Sequence, residues 1–156
     1  MFEIEKMLLE EKTVFPMKKL SGEVCGEIER MSKASPKYIC RGELGFVGNT
    51  TTKNETIIFC EGVIATIQAE QQGFDNVLGF MSVAAFTDET ITYLKDKNKK
   101  VILFFDQDEY GKKSVQTIAE KMRKAEINVK VFETDVAIDM QQFLSQGHSA
   151  QEILGI

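Results

Sequence analysis

Four short apolar runs, separated by helical patterns, restrict the fold of this chain more than any other feature. They are Thr56-Ile57-Ile58-Phe59-Cys60, Asn76-Val77-Leu78-Gly79-Phe80, Val101-Ile102-Leu103-Phe104-Phe105 and Asn128-Val129-Lys130-Val131-Phe132. The first and third are continuous, as strands covered on both faces require. Between them, residues 63–71 read as a helix stopped by Gly73, and Thr87 is placed to cap a helix over 88–96. Residues 110–124 carry Val115, Ile118, Ala119 and Met122 at helical spacing, and short helices over 139–146 and 149–154 close the chain. Strands alternating with helices at this pace predict an α/β fold, a four-stranded parallel sheet with helices on both sides.

The front third has a different texture. Residues 2–11 read as a short amphipathic helix ending before Pro16, and residues 22–30 alternate as a half-exposed strand. Pro36-Lys37-Tyr38-Ile39-Cys40 reads as a second short strand, and residues 42–54, rich in Gly, Asn, Thr and Lys, as a loop and seam. The expected organisation is therefore a small α+β subdomain over 1–54 and an α/β domain over 55–156. The three cysteines, Cys25, Cys40 and Cys60, lie far apart, which argues against a zinc ribbon or a disulfide framework. They read as small hydrophobic fillers in a reducing cytoplasm. No apolar run approaches the roughly 20 residues of a membrane span, and the acidic N-terminus is unlike a secretory signal.

A net charge of −5 excludes a protein that works by coating nucleic acid. The distribution is uneven. Residues 16–54 hold seven Lys or Arg against four Glu, while residues 55–156 hold ten against sixteen acidic residues. A mildly basic front beside an acidic module suits a strand-contacting surface next to a metal-holding pocket.

In open parallel sheets, ligands bind outside the carboxyl ends of the strands. Glu61 directly follows the first run, and Asp106-Gln107-Asp108 directly follows the third. Carboxylates converging there suit a hard cation such as Mg²⁺, which takes one or two of them with water and phosphate oxygens. Asp139, with Asp135 upstream, follows the fourth run and is placed to join them. Glu61 among aspartates would feel like-charge repulsion, which raises its pKa and suits it to proton transfer as well as ligation. Gly62 and Gly111 mark tight turns beside the two motifs, and Lys112 and Lys113 stand near a helix start where phosphate would lie. The single histidine, His148, lies in a terminal turn, so a Ser-His-Asp triad is not expected.

These residues carry a resemblance. Ile57 to Gly62, Gln72-Gly73-Phe74-Asp75-Asn76-Val77, Val101 to Gly111, Asn128 to Val131 and Asp139 to Leu144 with Gly147 resemble, in order and spacing, the TOPRIM (Rossmann-like) domain of bacterial primases. Gly22 to Gly26, Arg30 and Pro36-Lys37-Tyr38 resemble the strand pair that precedes TOPRIM in primases and plasmid-mobilisation proteins. The resemblance implies Mg²⁺ (or Mn²⁺) held by Asp106, Asp108 and Asp139, with Glu61 as ligand or acid/base. It implies contacts from Arg30, Lys37 and Tyr38 to nucleotide or single-stranded DNA, with NTPs as possible substrates. Primases carry Asp where this chain has Ala65 and again where it has Gln141, and Ala-Gly where it has Tyr110-Gly111. No counterpart of the primase zinc module, most of the polymerase front lobe or the helicase-binding tail is expected. The expected function is a stand-alone, primase-like protein, plasmid- or phage-associated, performing Mg²⁺-dependent nucleotidyl transfer or phosphodiester cleavage. The alternative is a non-catalytic module that binds DNA or a replication or mobilisation partner. A haloacid-dehalogenase phosphatase fits poorly, because Tyr110 stands where those enzymes want Thr or Val and the Asp motif follows the third strand. A receiver domain lacks its downstream Thr/Ser and Lys strand ends.

Overall fold

The computed structural model of the chain describes residues 12–31, 38–106, 108–133 and 139–155. The four apolar runs form β4 (Thr56–Glu61), β5 (Val77–Phe80), β6 (Lys100–Phe104) and β7 (Val129–Val131), all parallel, in the order β5-β4-β6-β7. The connecting helices are α1 (Ile64–Gln71), α2 (Asp88–Asp96) and α3 (Glu109–Lys124), followed by α4 (Met140–Ser145) and α5 (Ala150–Leu154). Thr87 caps α2 as the sequence predicts, its hydroxyl accepting the Thr90 N–H at 3.2 Å.

Strand alternation sorts the side chains into two cores. Ile57, Phe59, Val101 and Leu103 face α2 and α3, meeting Ile91, Leu94, Val115 and Ile118. Ile58, Cys60, Ile102 and Phe104 face the other way, against Ala65 and Ala69 of α1 and Met140, Phe143, Ala150 and Ile153 of α4 and α5. Both faces are covered, which is why these strands read as unbroken apolar runs. The first core is dense in aromatic rings. Phe46, Phe59, Phe80 and Phe105 surround Phe86 with centroids 5.0 to 6.3 Å away. The tilted and edge-on angles of these pairs favour ring quadrupoles over flat stacking.

The front of the chain forms an antiparallel sheet of β1 (Lys12–Lys18), β2 (Val24–Met31) and β3 (Tyr38–Gly42), with β2 in the centre. Strands β2 and β3 fall where the sequence predicts, whereas β1 is an addition. Its Pro16 reads as a breaker in sequence, yet β1 is an edge strand, where a residue lacking an N–H is tolerated. Thr13, Phe15 and Met17 are buried while Val14 and Pro16 are exposed, so the period of two holds through the proline. The helix expected over 2–11 lies outside the described residues.

The segment expected as a plain loop over 42–54 is partly paired backbone. Phe46 bridges to Lys18 and Val47 to Gly79, both antiparallel, which stitches the segment to β1 and to the outer edge of β5. Asp75 then holds its second half, accepting from the Asn49 side-chain amide at 3.1 Å and the Thr52 hydroxyl at 3.0 Å. The cysteine reading holds for Cys60, which is fully buried, and fails for Cys40, which is exposed on β3; all three thiols are free. Among the described residues no helix is long and apolar enough to cross a membrane.

Candidate metal centre

Strand order places the acidic motifs together. The chain leaves β4 for β5 on one side, then passes back through α2 to reach β6 on the other, so the direction of winding reverses between β4 and β6. At such a switch point the loops diverge and leave a crevice at the carboxyl ends of the strands. Glu61 is the last residue of β4, and Asp106 stands two residues past the end of β6. The Asp106 backbone N–H donates to Glu61 Oε1 at 3.0 Å, which ties the two strand ends. Gly62, with φ of +89°, turns the chain away from Glu61 in a conformation that side chains with a Cβ rarely adopt. Its N–H is satisfied by Phe80 O at 2.8 Å.

The Asp106 loop is held just as closely on its other side. Asp108 is the N-cap of α3, and its Oδ1 accepts the Gly111 N–H at 2.6 Å. The Asp106 carbonyl oxygen occupies the space where a Cβ on residue 111 would be, so only glycine lets the first turn of α3 close against the loop. Asp139 caps α4 in a reciprocal box: its Oδ1 accepts the Gln142 N–H at 2.8 Å, and Gln142 Oε1 accepts the Asp139 N–H at 3.1 Å. This capping role is legible in sequence as an aspartate followed three residues later by glutamine, ahead of Phe143 and Leu144. The sequence assigns Asp108 and Asp139 to metal, and in the structure each caps a helix.

Asp106 and Glu61 respond to burial and to the carboxylates around them. Burial, then the charges of Glu61, Asp139 and Asp108, push the Asp106 carboxyl up to about 7. The Glu61 carboxyl is also raised, chiefly by burial and further by Asp108 and Asp139, against the lowering effect of the Asp106 N–H. The sequence expects proton transfer at Glu61; the Asp106 carboxyl beside it is raised as well. Cys60 below them is pushed up to about 12, mainly by burial, and is an inert thiol. Among the described residues no Lys or Arg pairs with Glu61 or Asp106.

The donor set tests whether a divalent cation fits. All four groups offer hard carboxylate oxygens, and the half-buried pair Glu61 and Asp106, with no cationic partner among the described residues, would be relieved by a hard cation. Among the described residues, however, no three His, Cys, Asp or Glu side chains converge closely enough to cage a metal ion. Mg²⁺ is held by one or two carboxylates with water and phosphate completing its shell, so a closed cage is not required. The residues present fit an open Mg²⁺ site.

The other candidates are distributed around this centre. Lys112 and Lys113 are exposed in the first turns of α3. Arg30 and Tyr38 face each other across β2 and β3, with Arg30 Nε donating to Tyr38 Oη at 3.3 Å and the guanidinium 5.9 Å from the ring centroid. Tyr38 packs against the small core of Phe15, Met17, Ile28 and Val63, and Val63 is two residues past Glu61. Lys37 lies outside the described residues, as does Asp135. Ala65, standing where primases carry Asp, is buried in the α1–α4 core. Gln141 is exposed on α4.

The architecture is that of a TOPRIM fold with its acidic residues at the switch point. The chain belongs to the Toprim-like family, whose model matches residues 58–144. Over 148 residues it is 22% identical to the DNA primase of Staphylococcus aureus (strain COL), an alignment covering 86% of this chain and 24% of that protein. It is similar in structure to the Aquifex aeolicus primase zinc-binding and RNA polymerase domains, with a TM-score of 0.72 and 22% identity. That match covers 89% of this chain and 38% of the Aquifex chain. The DnaG primase catalytic domain bound to ssDNA matches with a TM-score of 0.70 and 17% identity, over 93% of this chain and 51% of that one. The chain thus spans about a quarter of the length of the curated primase it matches.

Proposed function

We propose that this chain is a primase-like TOPRIM protein that handles single-stranded nucleic acid at a divalent-cation site. The observation that carries the reading is the pairing of Glu61 and Asp106 at the β4–β6 switch point, both half-buried, both raised in pKa chiefly by burial, and without a cationic side chain among the described residues to balance them. Mg²⁺ or Mn²⁺ would be held by Asp106 and Asp108, with Asp139 contributing charge from the α4 cap. When bound, such an ion neutralises phosphate charge and helps to activate an attacking oxygen. The protein's own part is to hold the carboxylates on rigid strand ends and to accept or return a proton at Glu61, whose raised pKa suits that task. Lys112 and Lys113 meet the phosphates, and Arg30 and Tyr38 extend the contact surface across the front sheet. The reaction proposed is nucleotidyl transfer from NTPs or phosphodiester cleavage.

A second reading is a non-catalytic module that binds DNA or a replication or mobilisation partner. It is favoured by the capping duties of Asp108 and Asp139 and by Ala65, whose buried position leaves the site one carboxylate poorer than the primase pattern. Calorimetric titration of Mg²⁺ and Mn²⁺ into wild type and Asp106→Asn, with activity on single-stranded DNA with and without NTPs, separates the readings. The catalytic reading expects metal affinity that Asp106→Asn lowers by tenfold or more, on the order of what disturbing such a site costs. Extension identifies a transferase and cleavage a nuclease. Silence in both assays, with no metal affinity, refutes the catalytic reading.

A further inference from the structure

We propose that Tyr110 is a stacking platform for a nucleobase, set beside the carboxylates so that the strand is registered against them. The inference rests on the nucleic-acid reading above and adds to it a base-contacting residue. Three observations carry it. First, Tyr110 is 72% exposed, and among the described residues it makes no hydrogen bond or ring contact; Val14 and Val24, the other exposed large apolar residues, are both on the front sheet. Secondly, its position is rigidly tied to the acidic site. It lies between Asp108, which caps α3, and Gly111, which donates to that cap and sits where a Cβ would run into the Asp106 carbonyl, so its backbone is packed against the Asp106 loop. Thirdly, Tyr110 and the exposed Lys113 are three residues apart on α3 and therefore neighbours on one helix face. A ring with a cation next to it presents one surface for a base and one for the adjoining phosphate. This combination recurs wherever single strands are held without base-edge readout.

Other parts of the molecule offer less. A cavity of about 510 Å³ between Lys19, Phe46, Ala85 and Tyr93 is rimmed by Glu43 and Glu89, but Lys19 already pairs with both at 3.6 and 3.5 Å. The groove of about 450 Å³ between β1 and α1 has nothing to specify its occupant.

The test uses the full chain with fluorescein-labelled oligo(dT), with an abasic oligonucleotide of the same length as control, in the presence of Mg²⁺. Removing a stacking partner weakens binding by ~5-fold or more, so Tyr110→Ala and Tyr110→Leu should both lose that much affinity for oligo(dT). Tyr110→Phe should retain it. None of the three should differ from wild type on the abasic strand, because no base is there to stack. Tyr110→Leu guards against a merely apolar role, which leucine would preserve. The chain contains no tryptophan, so Tyr110→Trp supplies a single emitter whose fluorescence should be quenched by oligo(dT) and not by the abasic strand. Wild-type binding to oligo(dT) with Tyr110→Ala or Tyr110→Leu unchanged, or an equal loss on both strands, overturns the stacking role alone. Absence of wild-type binding to either strand overturns the nucleic-acid reading and the stacking role together.

Discussion

Replacing Asp106 with Asn should stabilise the metal-free protein at slightly alkaline pH and leave it unchanged in acid. The Asp106 carboxyl is raised from 3.8 to about 7 by burial and by Glu61, Asp139 and Asp108. Between those values the folded chain holds a proton at this site that the unfolded chain has released. Stability therefore falls as pH rises through the window, and the loss is complete above about pH 7. A shift of that size corresponds to ~4 kcal/mol for a fully shielded group. Asp106 is only half-buried, so solvent screening reduces the figure to about 1–2 kcal/mol. Asn keeps the shape and leaves the bond from the residue-106 N–H to Glu61 in place, because that donor is backbone. Urea unfolding of wild type and Asp106→Asn in EDTA, from pH 4 to 8, should give curves that coincide near pH 4. By pH 8 the variant should be ahead by about 1–2 kcal/mol, a rise in Tm of roughly 2–8 °C for a chain of this size. Saturating Mg²⁺ should remove the difference by stabilising the wild type alone. Curves that stay parallel from pH 4 to 8 would refute the elevation of the Asp106 carboxyl by burial and its neighbours.

Substitutions at two further positions separate scaffold from chemistry. Asp108→Ala removes the N-cap of α3 and should destabilise the fold by about 1 kcal/mol in urea, whereas Asp108→Ser should recover most of that stability without recovering metal affinity. Gly111→Ala drives a methyl group into the Asp106 carbonyl and should cost about 2–3 kcal/mol with a distorted metal site, seen as a lowered Tm and weaker Mn²⁺ binding together. In the main core, Phe59→Ala should cost about 3–5 kcal/mol, since Phe59 is fully buried and packs against both Phe46 and Phe86; loss of less than 1 kcal/mol in urea would show that the ring cluster repacks freely.

The parallel sheet, its helices and the strand-end placement of Glu61 and Asp106 were legible in the sequence because each depends on local periodicity. A continuous apolar run has to be covered on both faces, and a carboxylate just past such a run has to emerge at the end of the sheet. β1 was not legible, because Pro16 is a breaker by local rules and is accepted only since tertiary pairing leaves that strand at an edge. The same holds for Phe46 and Val47, which join β1 and β5 through partners 28 to 32 residues away in sequence. At the site, the residue types were evident and their division of labour was not. Capping by Asp108 and Asp139 depends on where two helices begin, and the elevation of Asp106 depends on burial and on Glu61 and Asp139 brought in from separate segments beside the neighbouring Asp108. Periodicity determined the scaffold and the edge at which the acids stand. Only the packed fold decided how far their charges interact, which of them cap helices, and that Tyr110 is left facing solvent beside them.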